Sequence, residues 1–311
     1  MSSCVVSHVE PQELMPALRM LVGAGPQQEL RAEQCRTAFE AGDYKSDGLF
    51  VTHDYTGSLT GTALVQTMPG ALAVAWPPRG ESAEIEDALT QTACNWLKHG
   101  GVKVCQAFAS SEERPAMAPL ERNGFSFVTQ LVFLERDVVP EDDSVKPPTI
   151  RVQCKPWLGL PTREQREVLL ATHEEALDCP ELNDARTSDE VINGYFRDNP
   201  GTYSWWLKIE GSERPVGVML FEKGSKASDL ELSYLGLVPT VRGKGLGGAA
   251  ITYANRIAGN SGYRAVSVAV DARNEPALRL YRRHGFVETY RQEVFLAVWK
   301  HEILITESQR T

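Results

Sequence analysis

The sequence predicts two α/β domains in tandem, each a mixed, mostly antiparallel sheet with flanking helices. Three observations predict this. The second half reads helix, helix, three strands, helix, strand, helix, two strands. A break at 136–151, RDVVPEDDSVKPPTIR, holds three prolines and four acids and lacks either apolar period. The chain also matches itself at an offset of 161 residues. Domains are expected at 1–139 and 151–311, with a linker at 140–150.

Each element of the second half has a local reason. Thr162–Leu177 has helical apolar spacing with Thr162 as N-cap. Thr187–Arg197 is a second helix, with Asp189 and Glu190 suited to the dipole of its first turn. Tyr203–Ile209 and Val216–Glu222 read as strands joined by the turn-like EGSERP, and Leu230–Val238 as a third. Gly247–Ala258 is helical, Ala265–Asp271 is a buried strand, and Glu275–His284 is a short helix ended by Gly285. Phe286–Tyr290 and Glu293–Trp299 read as two closing strands.

Composition narrows the function. The 311 residues are 42% hydrophobic with a formal net charge of −9, which argues against bulk attraction to nucleic acid or an anionic membrane surface. No apolar run approaches the ~20 residues of a membrane span, and the N-terminus does not read as a signal peptide. The six cysteines form no C-x-x-C pair, and no His/Asp/Glu cluster has metal spacing. Reduced thiols, no metal and a cytoplasmic location are expected, with Cys94 and Cys105 as small core residues.

The stretch VRGKGLGG, 241–248, places four glycines and two cations between a strand and a helix. That arrangement surrounds one anion with backbone N–H groups and the positive end of a helix dipole. Gly243, Gly245, Gly247 and Gly248 allow close approach and φ > 0, and Arg242 and Lys244 add charge, so a pyrophosphate is the expected ligand. A P-loop is excluded because Lys244 is followed by Gly245 rather than Ser or Thr. A dinucleotide fingerprint, G-x-G-x-x-G at 243, 245 and 248, fits the letters but lacks a repeating βαβ context. The third pattern, R-x-x-G-x-G at 242–247, resembles the coenzyme A pyrophosphate loop of the GNAT acyltransferase superfamily. Asn274 to Phe286 extends the resemblance by matching that superfamily's N-x-x-A-x-x-L-Y-x-x-x-G-F signature. It covers roughly 152–300.

The resemblance implies direct attack of an amine on acetyl-CoA without an acyl-enzyme. It implies that the strands either side of the glycine loop splay, with pantetheine bonded to backbone near Leu237 and Val238. Arg242, Gly243, Lys244, Gly245, Leu246, Gly247 and Gly248 would hold the pyrophosphate, and Asn274 would meet the coenzyme or cap its helix. Tyr281 falls on the family's usual acid position; a core role is its alternative. Glu231 is the candidate base, directly or through water, and strand alternation puts it on one face with Ser233, Leu235 and Leu237; a solvated edge carboxylate beside Asp229 is the alternative.

The first half aligns without these groups. Pro115, Ala116, Arg122, Gly124 and Phe125 fall on Pro276, Ala277, Arg283, Gly285 and Phe286. Arg242, Gly245, Gly247 and Gly248 fall on Glu81, Glu84, Glu86 and Asp87, and Tyr281 and Glu231 fall on Leu120 and Gly70. Carboxylates there would repel a pyrophosphate, so this half is expected to be a degenerate, non-catalytic copy. The tandem layout is similar to that of the mycothiol synthase type, with no substrate carried over.

The acceptor loop is expected at Asp178–Arg186, whose acids would attract an ammonium and whose Arg186 would bind a carboxylate; a solvated connection is the alternative. One of Trp205 and Trp206 is expected to line the cleft and the other to enter the core. The function expected is an N-acetyltransferase for a primary amine of a small molecule or peptide, acting as a monomer or homodimer without nucleic acid or membrane. A non-catalytic acetyl-CoA-binding regulatory module is the alternative.

Overall fold

The structure is a computed structural model that describes residues 5–138, 152–156, 162–182, 185–195, 204–209, 214–224 and 226–299. The expected linker and Tyr203 lie outside the described residues, as do the side chains of Trp205 and Trp206. In chain order the strands and α-helices are β1 Val6–His8, α1 Leu14–Val22, α2 Gln28–Ala41, β2 Leu49–His53, β3 Leu59–Met68, β4 Leu72–Ala75 and β5 Arg79–Gly80. Then come α3 Ala83–His99, β6 Val104–Ala109, α4 Ala118–Arg122, β7 Ser126–Asp137, β8 Val152–Pro156, α5 Arg163–Ala171 and α6 Ser188–Tyr195. The chain ends with β9 Ser204–Ile209, β10 Gly217–Lys223, β11 Asp229–Leu237, α7 Leu246–Asn260, β12 Ala265–Asp271, α8 Glu275–Arg283 and β13 Val287–Val298.

Two compact units form, and they interleave in sequence. One comprises 1–128, 181–187 and 293–311, the other 129–180 and 188–292. The first unit runs β1-β2-β3-β4-β6 and is completed by the second half of β13, whose residues 293–298 lie antiparallel to β6. The second unit runs β12-β11-β10-β9-β8 and is completed by residues 131–137 of β7, antiparallel to β12. Each unit holds one parallel pair, β4 with β6 and β11 with β12.

The second-half elements follow the expected order, with three differences. The first helix stops at Ala171 rather than Leu177. There the Thr172 hydroxyl bonds back to the Leu169 carbonyl, and Glu175 takes φ 55, which a helix does not allow. The two closing strands are one, β13, because no turn-forming residue interrupts Arg291–Gln292. Strand β8 lies outside the expected elements, although Val152, Gln153, Cys154 and Lys155 alternate apolar and polar.

The repeat shows in the backbone. Gly101 and Gly262 adopt φ 82 and 81, and Gly124 and Gly285 adopt φ 97 and 79. Left-handed positions at equivalent helix ends select glycine in both halves. In the first unit one core lies under α3 and α4 and takes in Phe295, and a second lies under α1 and α2. In the second unit the larger core packs Leu230, Leu232, Val266, Val268 and Val270 against α7 and α8. A smaller one packs Val218 and Leu220 against Leu169 of α5 and Ile192 of α6. Cys94 and Cys105 are buried, and burial pushes the Cys94 thiol up to about 11.

Candidate active site

The glycine loop joins β11 to α7. Gly243 and Gly245 have φ 73 and 82, and Gly245 is the N-cap of α7. The N–H groups of Leu246, Gly247 and Gly248 open the helix, where geometry provides no intrahelical acceptor. Gly247 and Gly248 serve a different purpose from the expected close approach to an anion. A Cβ on Gly247 would stand 2.8 Å from Leu280, and one on Gly248 would stand 3.0 Å from the His284 ring. They are glycines because α7 and α8 pack closely, with His284 anchored by its Nδ1 on the Leu280 carbonyl at 2.8 Å.

The expected cations are also engaged elsewhere. Arg242 donates to the carbonyls of Leu237, Thr172, Glu174 and Glu175, at 3.0, 3.0, 2.7 and 3.3 Å. Those of Thr172, Glu174 and Glu175 belong to the turn that ends α5, where unpaired carbonyls and the negative helix end favour a cation. Lys244 is exposed and donates to the Thr240 carbonyl at 2.8 Å. Arg242 therefore ties the loop before α7 to the segment after α5. Replacing it with Met is expected to cost ~2 kcal/mol in denaturant unfolding. It should change the affinity for a pyrophosphate-bearing ligand much less, since the backbone N–H groups remain. A large loss of affinity with unchanged stability would reverse this assignment.

Strands β11 and β12 pair over only three residues, Asp229–Glu231 with Ala265–Ser267. Beyond Glu231 no pairing with β12 occurs, and the facing edge of β11 is open up to the glycine loop. Val238 is not available to a ligand as expected. Its N–H donates to Val216 at 2.9 Å and its carbonyl accepts from Val241 at 3.2 Å. The Leu237 carbonyl is held by Arg242. The open backbone therefore lies earlier on the strand, over 232–236.

A bulge changes the face on which Glu231 lies. Leu220 pairs with Tyr234 but Phe221 pairs with Leu232, so Ser233 is the extra residue. Leu230, Leu232, Leu235 and Leu237 all face the core under α7 and α8. Glu231 and Tyr234 face the other side, towards α5 and α6. The expected shared face of Glu231, Ser233, Leu235 and Leu237 is thus wrong, because alternation resets at the bulge. Glu231 occupies the last paired position before the strands part, and its charge acts on the phenol of Tyr290.

Tyr281 projects from α8 into the larger core, edge-on to Phe286 at 5.3 Å. It is 7% exposed, and its hydroxyl takes no hydrogen bond among the described residues. Burial, and after it the charge of Asp178, pushes the phenol well above its ordinary range. Asn274 caps α8, its Oδ1 accepting from Ala277 N at 3.2 Å, while its side chain also bonds Asp178. Capping was one of its two expected roles.

Sequence reasoning placed Asp178 in a loop whose acids would attract an ammonium, and the structure gives it a specific position. It reaches solvent, yet the protein crowded around it raises its carboxyl, against the Asn274 hydrogen bond that lowers it. Its charge acts on both Tyr281 and Tyr234. The segment is pinned by Arg242, by Cys179 N–H donating to buried Asp271 at 3.0 Å, and by positive φ at Glu175 and Cys179. Such strain in non-glycine residues persists only where the surroundings hold it. Arg186 does not present a free guanidinium as expected; it donates to the Gly70 carbonyl at 3.4 Å within the first unit. No metal-binding cluster and no helix able to cross a membrane occur among the described residues.

A parallel strand pair that parts before a glycine turn and an open helix N-terminus is the arrangement that the sequence resemblance implies. Residues 169–286 match the profile of the acetyltransferase (GNAT) family, and this part of the chain is a GNAT domain. The fold of the whole chain agrees. A GCN5-related N-acetyltransferase from Sphaerobacter thermophilus superposes with TM-score 0.59 at 17% identity, covering 95% of this chain and 96% of the other. A tandem GNAT protein from the clavulanic acid biosynthesis pathway superposes with TM-score 0.51 at 14% identity, covering 95% and 98%. A GCN5-related glucosamine N-acetyltransferase region of a fungal multi-domain β-N-acetylglucosaminidase gives TM-score 0.60 at 11% identity, covering 95% of this chain and 38% of that one. A comparison with curated protein sequences finds no match.

Proposed function

We propose that the chain is an acetyl-CoA-dependent N-acetyltransferase acting on a primary amine of a small molecule or peptide, with its chemistry in the domain at 151–311. The observation that carries this reading is the parting of β11 and β12 after Glu231, ahead of the glycine turn. An extended pantetheine fits an open strand edge, and a pyrophosphate fits the N–H groups of Leu246, Gly247 and Gly248 at the positive end of α7.

In this reading the amine nitrogen attacks the thioester carbonyl carbon and the carbon–sulfur bond breaks. Tyr281 gives its phenolic proton to the departing thiolate, and burial keeps that phenol protonated until the thiolate forms. The ammonium proton leaves to Glu231, directly or through water. Arg242 and Asn274 act on position, through the segment that carries Asp178.

The half at 1–139 is proposed to be non-catalytic. Its corresponding helix, α3, is closed by the Ser82 hydroxyl accepting from Ile85 N, and carries Glu84 and Glu86 in its first turn. The chain before it folds back as β5 onto β3 rather than opening a glycine turn. The burial of Tyr281 also suits the second reading, a module that binds acetyl-CoA without turnover.

The test is a panel of primary amines with acetyl-CoA, read by release of free coenzyme thiol, beside calorimetry with acetyl-CoA and NAD. Binding of acetyl-CoA with amine-dependent thiol release is expected. Binding without release from any amine would favour the module, and binding of NAD alone would overturn both readings.

A further inference from the structure

The carboxylate of Asp178 is clasped to two other elements of its unit. Cys179 N–H donates to the buried Asp271 carboxylate at 3.0 Å, at the end of β12. The Asp178 carboxylate in turn accepts from the Asp271 N–H, and from the side-chain amide of Asn274, the N-cap of α8. A carboxylate at the start of a helix suits the helix dipole. A purely structural role would end there.

Two further observations go beyond capping. The first is Tyr281. It stands seven residues after Asn274, about two turns along the same face of α8. Helix side chains lean towards the N-terminus, so its phenol points back towards Asp178. The residue is 7% exposed, yet its hydroxyl has no partner among the described residues. A buried hydroxyl left unbonded costs free energy, which a ligand at this place would recover.

The second is the missing counter-ion. Protein crowds Asp178 enough to raise its carboxyl, yet no cation pairs with it among the described residues. The neighbouring guanidiniums are committed. Arg242 donates to four carbonyls, and Arg273 is turned onto Asp271 through Nε at 3.1 Å and Nη2 at 2.8 Å. A carboxylate so placed favours a cation from outside. Asp178 also stands where the strands have parted. It is bonded to the end of β12, and its charge acts on Tyr234 of β11 as well as on Tyr281. The two strands pair only as far as Glu231 and Ser267.

We infer that Asp178 binds the ammonium of the acceptor, and that the acceptor carries no carboxylate on the carbon that bears the amine. The ammonium donates to Asp178 beside the Tyr281 hydroxyl, which holds the nitrogen at the opening while its proton leaves to Glu231. A carboxylate on the same carbon would meet Asp178 with no free guanidinium to answer it. The chemical consequence rests on the acetyl-transfer reading, but the site is read by binding alone.

The experiment titrates isobutylamine, isobutanol and valine onto the full chain with coenzyme A present, followed by ligand-observed NMR. The three share one branched carbon skeleton. The alcohol lacks the charge, and valine adds the carboxylate. Isobutylamine is expected to bind about 10- to 100-fold more tightly than either, the span of a hydrogen bond to a charged group. Asp178→Asn keeps an oxygen for the Asp271 N–H and should erase the preference, with denaturant unfolding and coenzyme A affinity nearly unchanged. Equal binding of the three, binding of none, or a preference that survives Asp178→Asn overturns the inference. The comparison on the unaltered chain does so without any variant. If the preference depends on Asp178 while no amine of the wider panel releases thiol, the ammonium site stands and acetyl transfer fails. If thiol is released and Asp178→Asn leaves the KM of that amine unchanged, acetyl transfer stands and the inference fails.

Discussion

Replacing Tyr281 with Phe is expected to lower kcat by about 10²–10⁴-fold, the usual contribution of a positioned general acid. Acetyl-CoA affinity and fold should be nearly unchanged, because Phe keeps the ring that packs edge-on to Phe286 and removes a hydroxyl without a protein partner among the described residues. The pH dependence separates chemistry from packing. Burial first, and Asp178 second, raise the folded phenol above its ordinary value of about 10. The acid therefore stays protonated through neutral and mildly alkaline pH, and the wild-type rate should not fall there through its ionisation. Stability follows the same sign. Above about pH 10 the unfolded chain loses this proton first, so the folded state holds more protons and its stability declines as pH rises. The contribution is fully present below that pH. Tyr281→Phe should remove part of the alkaline decline, measured as the pH dependence of denaturant unfolding. Unchanged kcat in the variant would leave Tyr281 a core residue and remove the acid from the mechanism.

Phe295→Ala is expected to cost about 3–5 kcal/mol, the range for emptying a fully buried aromatic site. Phe295 lies at least 167 residues from every position of 1–128, the main part of the unit it completes, yet it is 0% exposed in that unit's core. It pairs with Ala107 on β6. Phe127 meets it edge-on at 5.8 Å, and the Arg114 guanidinium lies 4.7 Å from its ring centroid. Arg114 is itself fixed by Glu293, at 2.8 Å on the same strand. Few domains have more than 5–15 kcal/mol to lose, so the first unit should become marginal. Hydrogen exchange of the full chain would locate the effect, with amides of β6 and β4 exchanging faster. If the loss were under 1 kcal/mol, or β6 kept its protection, the last strand would not be part of that unit's core.

Much of the candidate site was legible in the residues, for a local reason. Gly243 and Gly245 had to be glycine because their own φ is positive, and Asn274 announced a helix start because a cap bonds three residues ahead. Strand Ala265–Asp271 has small and β-branched residues throughout, and its bounds agree with the sequence reading. Tyr281 and Glu231 could be singled out by type and by resemblance, but their surroundings could not. Gly247 and Gly248 looked like ligand glycines, since nothing nearby in sequence says that Leu280 and His284 will press against them.

The sequence by itself determined most of the order of elements in the second half, the turn that opens α7 and the left-handed glycines of both halves. These depend on backbone torsions and caps, which a few adjacent residues decide. Only the tertiary structure decided the rest. The bulge at Ser233 moved Glu231 to the face of α5 and α6, because register is set against β10 and not within β11. Arg242 turned from a ligand cation into a tie, because the carbonyls it reaches lie 67–70 residues away. The final strand was divided between two units because its hydrogen-bond partners, not its own alternation, choose the sheet it joins. Such outcomes turn on pairings between distant segments, which no local pattern records.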